Sequence, residues 1–163
     1  MLNYIKKIKR MRKDKCFSIC LAESCTGGMI SSQLTSVAGS SDFFEGSVVS
    51  YSNHLKNNIL KVQNKSIKKY GAVSHQTALL MVKGLRQFSK SEILVSVTGV
   101  AGPDGGSVNT PVGCVFFGLG IKIKNKYHFT TIKKLFREKT RRNIQKKSTE
   151  FILKEIISNI EKI

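Results

Sequence analysis

Cys16-Phe17-Ser18-Ile19-Cys20-Leu21-Ala22-Glu23-Ser24-Cys25-Thr26-Gly27-Gly28 is the stretch whose reading sets the fold class. Residues 16–22 are an apolar run of strand length, closed by small polar residues and two glycines. From about Gly27 to Val37 the pattern becomes helical, until Gly39-Ser40-Ser41 breaks it. A strand that passes through a glycine turn into a helix is the opening unit of an α/β domain. The junction also presents backbone N–H groups at the positive end of a helix, where a phosphate, carboxylate or oxyanion can bind. Gly27 and Gly28 permit close approach, and Ser24 and Thr26 supply hydroxyls. Simple capping of the helix by Ser24 or Thr26 is the commoner use of such residues.

Outward from this unit, the elements keep alternating. Ser47–Ser52 reads as a second strand and Asn53–Leu60 as a short helix. Ser74 is placed to cap a helix over about 75–89, with Ala78, Val82 and Leu85 on one face. Residues 92–98 are a β-rich run, followed by a Gly/Pro loop at 99–111. Residues 112–121 and 127–135 read as a hairpin across the Lys124-Asn125-Lys126 turn. The ends are helical: a basic helix over 1–15, with Leu2, Ile5, Ile8 and Met11 every third residue, and a second over 139–162. Ile144, Phe151, Ile152, Ile156 and Ile160 form the stripe of the second. The N-terminal helix is expected to pack on the domain rather than lie on a membrane surface. The fold class expected is α/β: a single domain over 1–163, with a mixed β-sheet flanked by helices.

Composition excludes several classes. The 163 residues suit one domain, and 40% hydrophobic with 23% charged residues argues against wholesale disorder. No apolar run approaches the ~20 residues that span a bilayer, and no cleavable secretory signal is recognisable. A cytoplasmic location is therefore expected, with no membrane partner. Cys16, Cys20, Cys25 and Cys114 contain no C-x-x-C pair and read as reduced, mostly buried thiols. His54, His75 and His128 carry no zinc spacing, so no metal and no cofactor are expected.

The net charge of +18 first suggests a polyanionic partner. Of the 28 basic residues 22 are Lys, however, and the chain is rich in Ile and Asn, as drift toward A/T-rich codons would produce. Seven lie in 1–15, eight in 56–90 and thirteen in 122–163, leaving 16–55 and 91–121 with none. A nucleic-acid binder places Lys and Arg among its Gly-rich loops and aromatics. Here the Gly-rich loops lie in the basic-free stretches, so no nucleic-acid partner is expected.

Two further constellations carry chemistry. Tyr51-Ser52-Asn53-His54-Leu55-Lys56 leaves a strand and enters a helix, and Lys56 is the first basic residue after the 40-residue gap. From an early helical position it can turn back toward the strand end, where partial desolvation would favour a neutral amine able to act as a base. On spacing alone a solvated surface lysine is the commoner outcome. Thr98-Gly99-Val100-Ala101-Gly102-Pro103-Asp104-Gly105-Gly106 leaves the third strand as a ligand wall or an ordinary long turn. It has neither a Walker Lys-Ser/Thr nor the helix that a dinucleotide fingerprint needs.

Together, in order and spacing, these motifs resemble those of the nicotinamide-nucleotide amidohydrolases, the stand-alone form of the C-terminal domain of CinA-type competence/damage-inducible proteins. The resemblance runs from about Ser18 to Phe117 through LAESCTGGMISSQLTSVAGSSDFFEGSVVSYSNHLK, YGAVSHQTALLM, VSVTGVAGPDGG and PVGCVFF. It implies hydrolysis of nicotinamide mononucleotide to nicotinate mononucleotide and ammonia without a metal. It also implies Ser24 as nucleophile and Lys56 as its activating base, with Tyr51 nearby. Thr26, Gly27, Gly28, Asn53, Gly99, Gly102 and Pro103 are then the expected substrate-binding residues. The Thr26–Gly28 turn would supply oxyanion donors or a phosphate seat. Ser24 is preferred over the neighbouring thiol of Cys25. A chain of this length has no room for the pyrophosphatase domain of the fused forms, so the stand-alone domain is expected, assembling by analogy as a homo-oligomer.

The tail departs from the family pattern Phe-x-Gly-x-Arg-x-x-(Ile/Val)-Arg. The chain reads Phe136-Arg137-Glu138-Lys139-Thr140-Arg141-Arg142-Asn143-Ile144-Gln145, with Gln145 in place of the second arginine. Arg141 keeps the spacing to Ile144 and is the expected active-site arginine, with Arg137 and Arg142 as alternatives. His54, at a position where Glu is common, would add a titrating group near Lys56. The alternative function is a catalytically degenerate relative that binds a nucleotide or RNA through its basic tail.

Overall fold

The computed structural model describes all 163 residues. Five strands form one sheet in the order β2-β1-β3-β4-β5, where β1 is Ile19–Glu23, β2 Phe44–Val49, β3 Ile93–Gly99, β4 Cys114–Ile123 and β5 Lys126–Leu135. β1 runs parallel to both neighbours, while β3–β4 and β4–β5 pair antiparallel. The sheet is therefore mixed, as the alternating pattern predicts. With β1 between β2 and β3, the carboxyl ends of all three parallel strands emerge along one edge. In open α/β sheets this is where ligands bind.

Every residue of β1 is buried, because both faces are covered. Ile19 and Leu21 join Val95, Val97 and Phe117 beneath α1 (Leu2–Asp14), α2 (Met29–Leu34) and α6 (Arg141–Ile160). Cys20 and Ala22 face the other way, toward Met81, Val82 and Leu85 of α5 (His75–Gly84) and the 3-10 turn after it. Two short helices, α3 (Asn53–Asn58) and α4 (Asn64–Tyr70), connect β2 to α5. On α1, Ile5 and Ile8 are wholly buried, so this helix packs on the domain. No helix is long and apolar enough to cross a membrane.

Several boundaries move for identifiable reasons. β2 starts and ends three residues earlier than the expected 47–52. After Ser50 donates its amide to the Glu23 carbonyl, the chain leaves the sheet, and Ser52 caps α3 by accepting from the Leu55 amide. α2 begins two residues later than expected because Gly27 and Gly28 hold positive φ angles of 59° and 91°, and it ends at Leu34 rather than Val37. α4 went unforeseen, since Ile67 is its single buried residue and leaves no apolar period to read.

Much of the N-terminal charge is engaged by backbone. Lys15 Nζ donates to the carbonyls of Ile160, Glu161 and Ile163 at 3.0, 3.0 and 2.8 Å. It thereby neutralises the negative end of α6, whose last carbonyls have no helical partners. Lys9 Nζ reaches the Ala38 carbonyl and Arg12 Nε the Asp42 carbonyl, each at 2.8 Å.

α5 lies unusually close to the sheet at Gly118. A Cβ built there would stand 2.5 Å from Ser96 Oγ and 2.6 Å from the Ala78 carbonyl oxygen. Those two atoms already bond to each other, Ser96 Oγ donating at 2.6 Å. Gly118→Ala is expected to destabilise the fold by about 2 kcal/mol through overpacking. Urea unfolding would show this as a lower midpoint at unchanged slope.

Candidate active site

The parallel strand ends bring the three motifs together. Ser24 follows β1 directly and donates its amide to the Val97 carbonyl of β3 at 3.0 Å, so the nucleophile candidate is fixed between two strands. Lys56, in the first turns of α3, is only 2% exposed. Its Nζ lies 2.8 Å from Ser24 Oγ, 2.9 Å from the Ser50 carbonyl oxygen and 3.3 Å from that of Tyr51. Burial lowers the Lys56 pKa from the ordinary lysine value, against a smaller opposing pull from Cys25. Cys25 itself is 6% exposed, and burial pushes its thiol pKa up to about 12, so it stays protonated at neutral pH.

A cavity of about 270 Å³ opens over this pair. Ser24 and Cys25 come from the β1 turn, Tyr51, Asn53 and Lys56 from the β2–α3 junction, and Ala72 and Val73 from the α4–α5 connection. Thr98 to Gly102, with Asp104 and Gly105, close the β3 side, and Arg141 closes the mouth. Arg141 donates through Nη1 to the Gly102 carbonyl at 2.8 Å and through Nη2 to Tyr51 Oη at 2.5 Å. It thus ties the Gly/Pro loop to the β2–α3 junction. Because Tyr51 Oη accepts from Arg141, its own proton is free to donate. Besides the Ser24–Lys56 pair, the cavity presents the Arg141 guanidinium at its mouth and the Asp104 carboxylate on its β3 side.

Ser24, Tyr51, Asn53, Lys56, Gly99, Gly102 and Arg141 therefore converge on one cavity. Other expected residues do not. Thr26, Gly27 and Gly28 line a separate hollow with Arg142 and Gln145. The turn is not free for a ligand phosphate, because Glu23, fully buried, already occupies it. Its carboxylate accepts from Thr26 Oγ1 (2.7 Å), the amides of Gly28, Ile30 and Ser31 (3.0, 3.1 and 2.8 Å) and Ser31 Oγ (2.8 Å). The helix end thus holds an internal anion. Pro103 is exposed and forms no part of the cavity wall. Arg137 is exposed and also lies outside that wall. His54 pairs with Asn58 at 2.8 Å on the exposed side of α3 and does not line the cavity.

Sequence reading placed Thr98 and Asp104 within the Gly/Pro ligand wall and Gln145 at a departure from the family pattern, but it did not single out Ser50 or Glu23 as contributors here. Glu23 alone carried a signal: an acidic residue at the end of an apolar strand, just before a glycine turn into a helix, is placed to cap it.

The chain matches the CinA C-terminal domain family over residues 2–160. A CinA-like protein of Pseudothermotoga lettingae is 44% identical over 133 residues, which cover 80% of this chain and 33% of that relative. The chain thus spans about a third of that relative's length. The competence damage-inducible protein A (ComA) of Klebsiella pneumoniae superposes with a TM-score of 0.89 at 25% identity, covering 98% of this chain and 96% of that one. The competence/damage inducible protein CihA of Agrobacterium tumefaciens gives 0.85 at 33% identity, covering 96% and 94%. By its family match, its sequence identity and its fold, the chain belongs to the CinA C-terminal domain family.

Proposed function

We propose that the chain is an amidohydrolase that converts nicotinamide mononucleotide and water to nicotinate mononucleotide and ammonia through an acyl-enzyme on Ser24. The observation that carries this reading is the buried contact of 2.8 Å between Lys56 Nζ and Ser24 Oγ. A neutral amine has two N–H donors and one lone pair. The Ser50 and Tyr51 carbonyls accept the two donors, which leaves the lone pair for the Ser24 hydroxyl proton.

The steps balance around that pair. Lys56 takes the hydroxyl proton as Ser24 Oγ bonds to the carboxamide carbon, and the carbonyl electron pair moves onto oxygen. When the tetrahedral adduct collapses, the C–N bond breaks and the Lys56 ammonium returns its proton to the departing ammonia. Water then attacks the ester with Lys56 again as base, releasing the carboxylate and Ser24. The Arg141 guanidinium and the Tyr51 hydroxyl at the mouth would pair with the phosphate of a nucleotide and so favour it over neutral amides.

The test is ammonia release by the purified chain supplied with nicotinamide mononucleotide, with the acid product measured in parallel. Equal amounts of the two products are expected. A folded chain that releases no ammonia would overturn the reading. Salt-dependent titration against a short RNA would then examine the binding alternative.

A further inference from the structure

We propose that Gln145, on α6, is a positioning residue that sets the oxyanion donors of this site; the inference rests on the amidohydrolase reading. Gln145 Nε2 donates to the Cys25 carbonyl at 2.9 Å, across 120 positions of sequence. The preceding carbonyl, of Ser24, accepts from the Gly27 amide at 3.0 Å. Both carbonyls that follow the nucleophile are therefore anchored.

A trans peptide directs its N–H opposite to its C=O, and the one cis bond of the chain lies elsewhere, at Gly102-Pro103. Anchoring the Ser24 carbonyl thus directs the Cys25 amide away from Gly27, and anchoring the Cys25 carbonyl directs the Thr26 amide away from Gln145. Neither amide donates to an acceptor on another residue, the Cys25 amide meeting only its own thiol, whereas those of Gly28, Ile30 and Ser31 are all taken by Glu23. Two consecutive amides that no other residue's acceptor takes can cradle an anion, and here they begin at the residue after the nucleophile. Cys25 lines the cavity, and Thr26, which follows it, borders the neighbouring hollow together with Gln145, so the peptide between them spans the wall between the two.

An oxyanion formed by attack of Ser24 needs donors that are already oriented, since reorienting them during reaction would raise the barrier. Gln145 does this from outside the cavity, touching neither Ser24 nor Lys56. It is also the one contact from α6 to this turn that a single side-chain amide provides. Its loss leaves the substrate-binding wall in place and loosens the donors, so the effect belongs in kcat rather than KM.

The experiment measures kcat and KM for ammonia release from nicotinamide mononucleotide in the full chain, with folding checked by circular dichroism. Gln145→Leu, which removes the donor at similar size, is expected to lower kcat by about 10- to 100-fold with KM within about twofold. Gln145→Glu, whose carboxylate would repel the Cys25 carbonyl, should lose at least as much. Gln145→Arg, which keeps an N–H donor at that reach, should restore kcat to within about threefold of the parent. Unchanged kcat in Gln145→Leu, or a loss confined to KM, overturns the role of Gln145 and leaves the amidohydrolase reading standing. If Gln145→Leu fails to fold, equal kcat in the Glu and Arg variants does the same. A parent chain without ammonia release overturns the amidohydrolase reading, and this inference with it.

Discussion

Ser24→Ala and Lys56→Met are each expected to lower kcat/KM for ammonia release by about 10⁴-fold, and the double variant by little more than either alone. The pair acts as a unit: a serine without a base stays protonated, and a base without its serine has no proton to take. The pH profile separates this account from a merely structural lysine. Lys56 acts as the neutral amine, and burial lowers its pKa from the ordinary lysine value. Below that lowered pKa, kcat/KM should rise about tenfold per pH unit, then level off short of the usual lysine range. Lys56→Met should abolish that limb along with most of the rate. Full activity in both single variants, with the fold intact, would remove the Ser–Lys pair from the mechanism.

On position alone Ser24 read as a helix cap and Lys56 as a solvated surface lysine, although both sit where strand ends meet helix starts; it was the family resemblance that paired them. Ser24 follows β1 directly, and Lys56 lies one helical turn into α3, seven residues past the end of β2. Parallel pairing then does the rest, since β1 beside β2 brings their carboxyl ends together. Arg141 was legible only as one of three arginines. What singles it out is the contact with Gly102 and Tyr51, and nothing local to residues 137–142 specifies partners 39 and 90 positions away. Gln145 read as a lost arginine for the same reason.

The Thr26–Gly28 turn shows the opposite failure. A glycine turn into a helix reads as an anion site, and it is one, but the anion is Glu23, already within the chain. Sequence spacing names the donors without saying which acceptor occupies them. The charge follows similar logic. A Lys-rich N-terminal helix suggests an external polyanion, yet Lys9, Arg12 and Lys15 bond to backbone carbonyls, and Lys15 alone closes the end of α6. Helix ends leave carbonyls that need donors, so part of a net charge of +18 serves the fold.

Glu23→Ala is expected to cost about 4 kcal/mol of stability, the largest loss available from one side chain near the site. The carboxylate is fully buried, so water cannot replace it once it is removed. Three amides and two hydroxyls would lose their acceptor together, although the Ser31 hydroxyl keeps its bond to the Gly28 carbonyl at 3.0 Å. Glu23→Gln should cost about half as much, because an amide retains one acceptor oxygen. That oxygen belongs at the Oε2 position, which serves Thr26, Gly28 and Ile30. The NH₂ group then faces Ser31, whose hydroxyl can turn to accept but whose amide cannot. In thermal unfolding the Ala variant should melt about 10 °C below the parent, and the Gln variant between the two. The turn that carries Ser24 would loosen in step, so ammonia release should fall in the same order at temperatures where all three chains remain folded. An Ala variant within about 1 kcal/mol of the parent would mean that the α2 amides find other acceptors, and Glu23 would lose its place as the internal anion of the site.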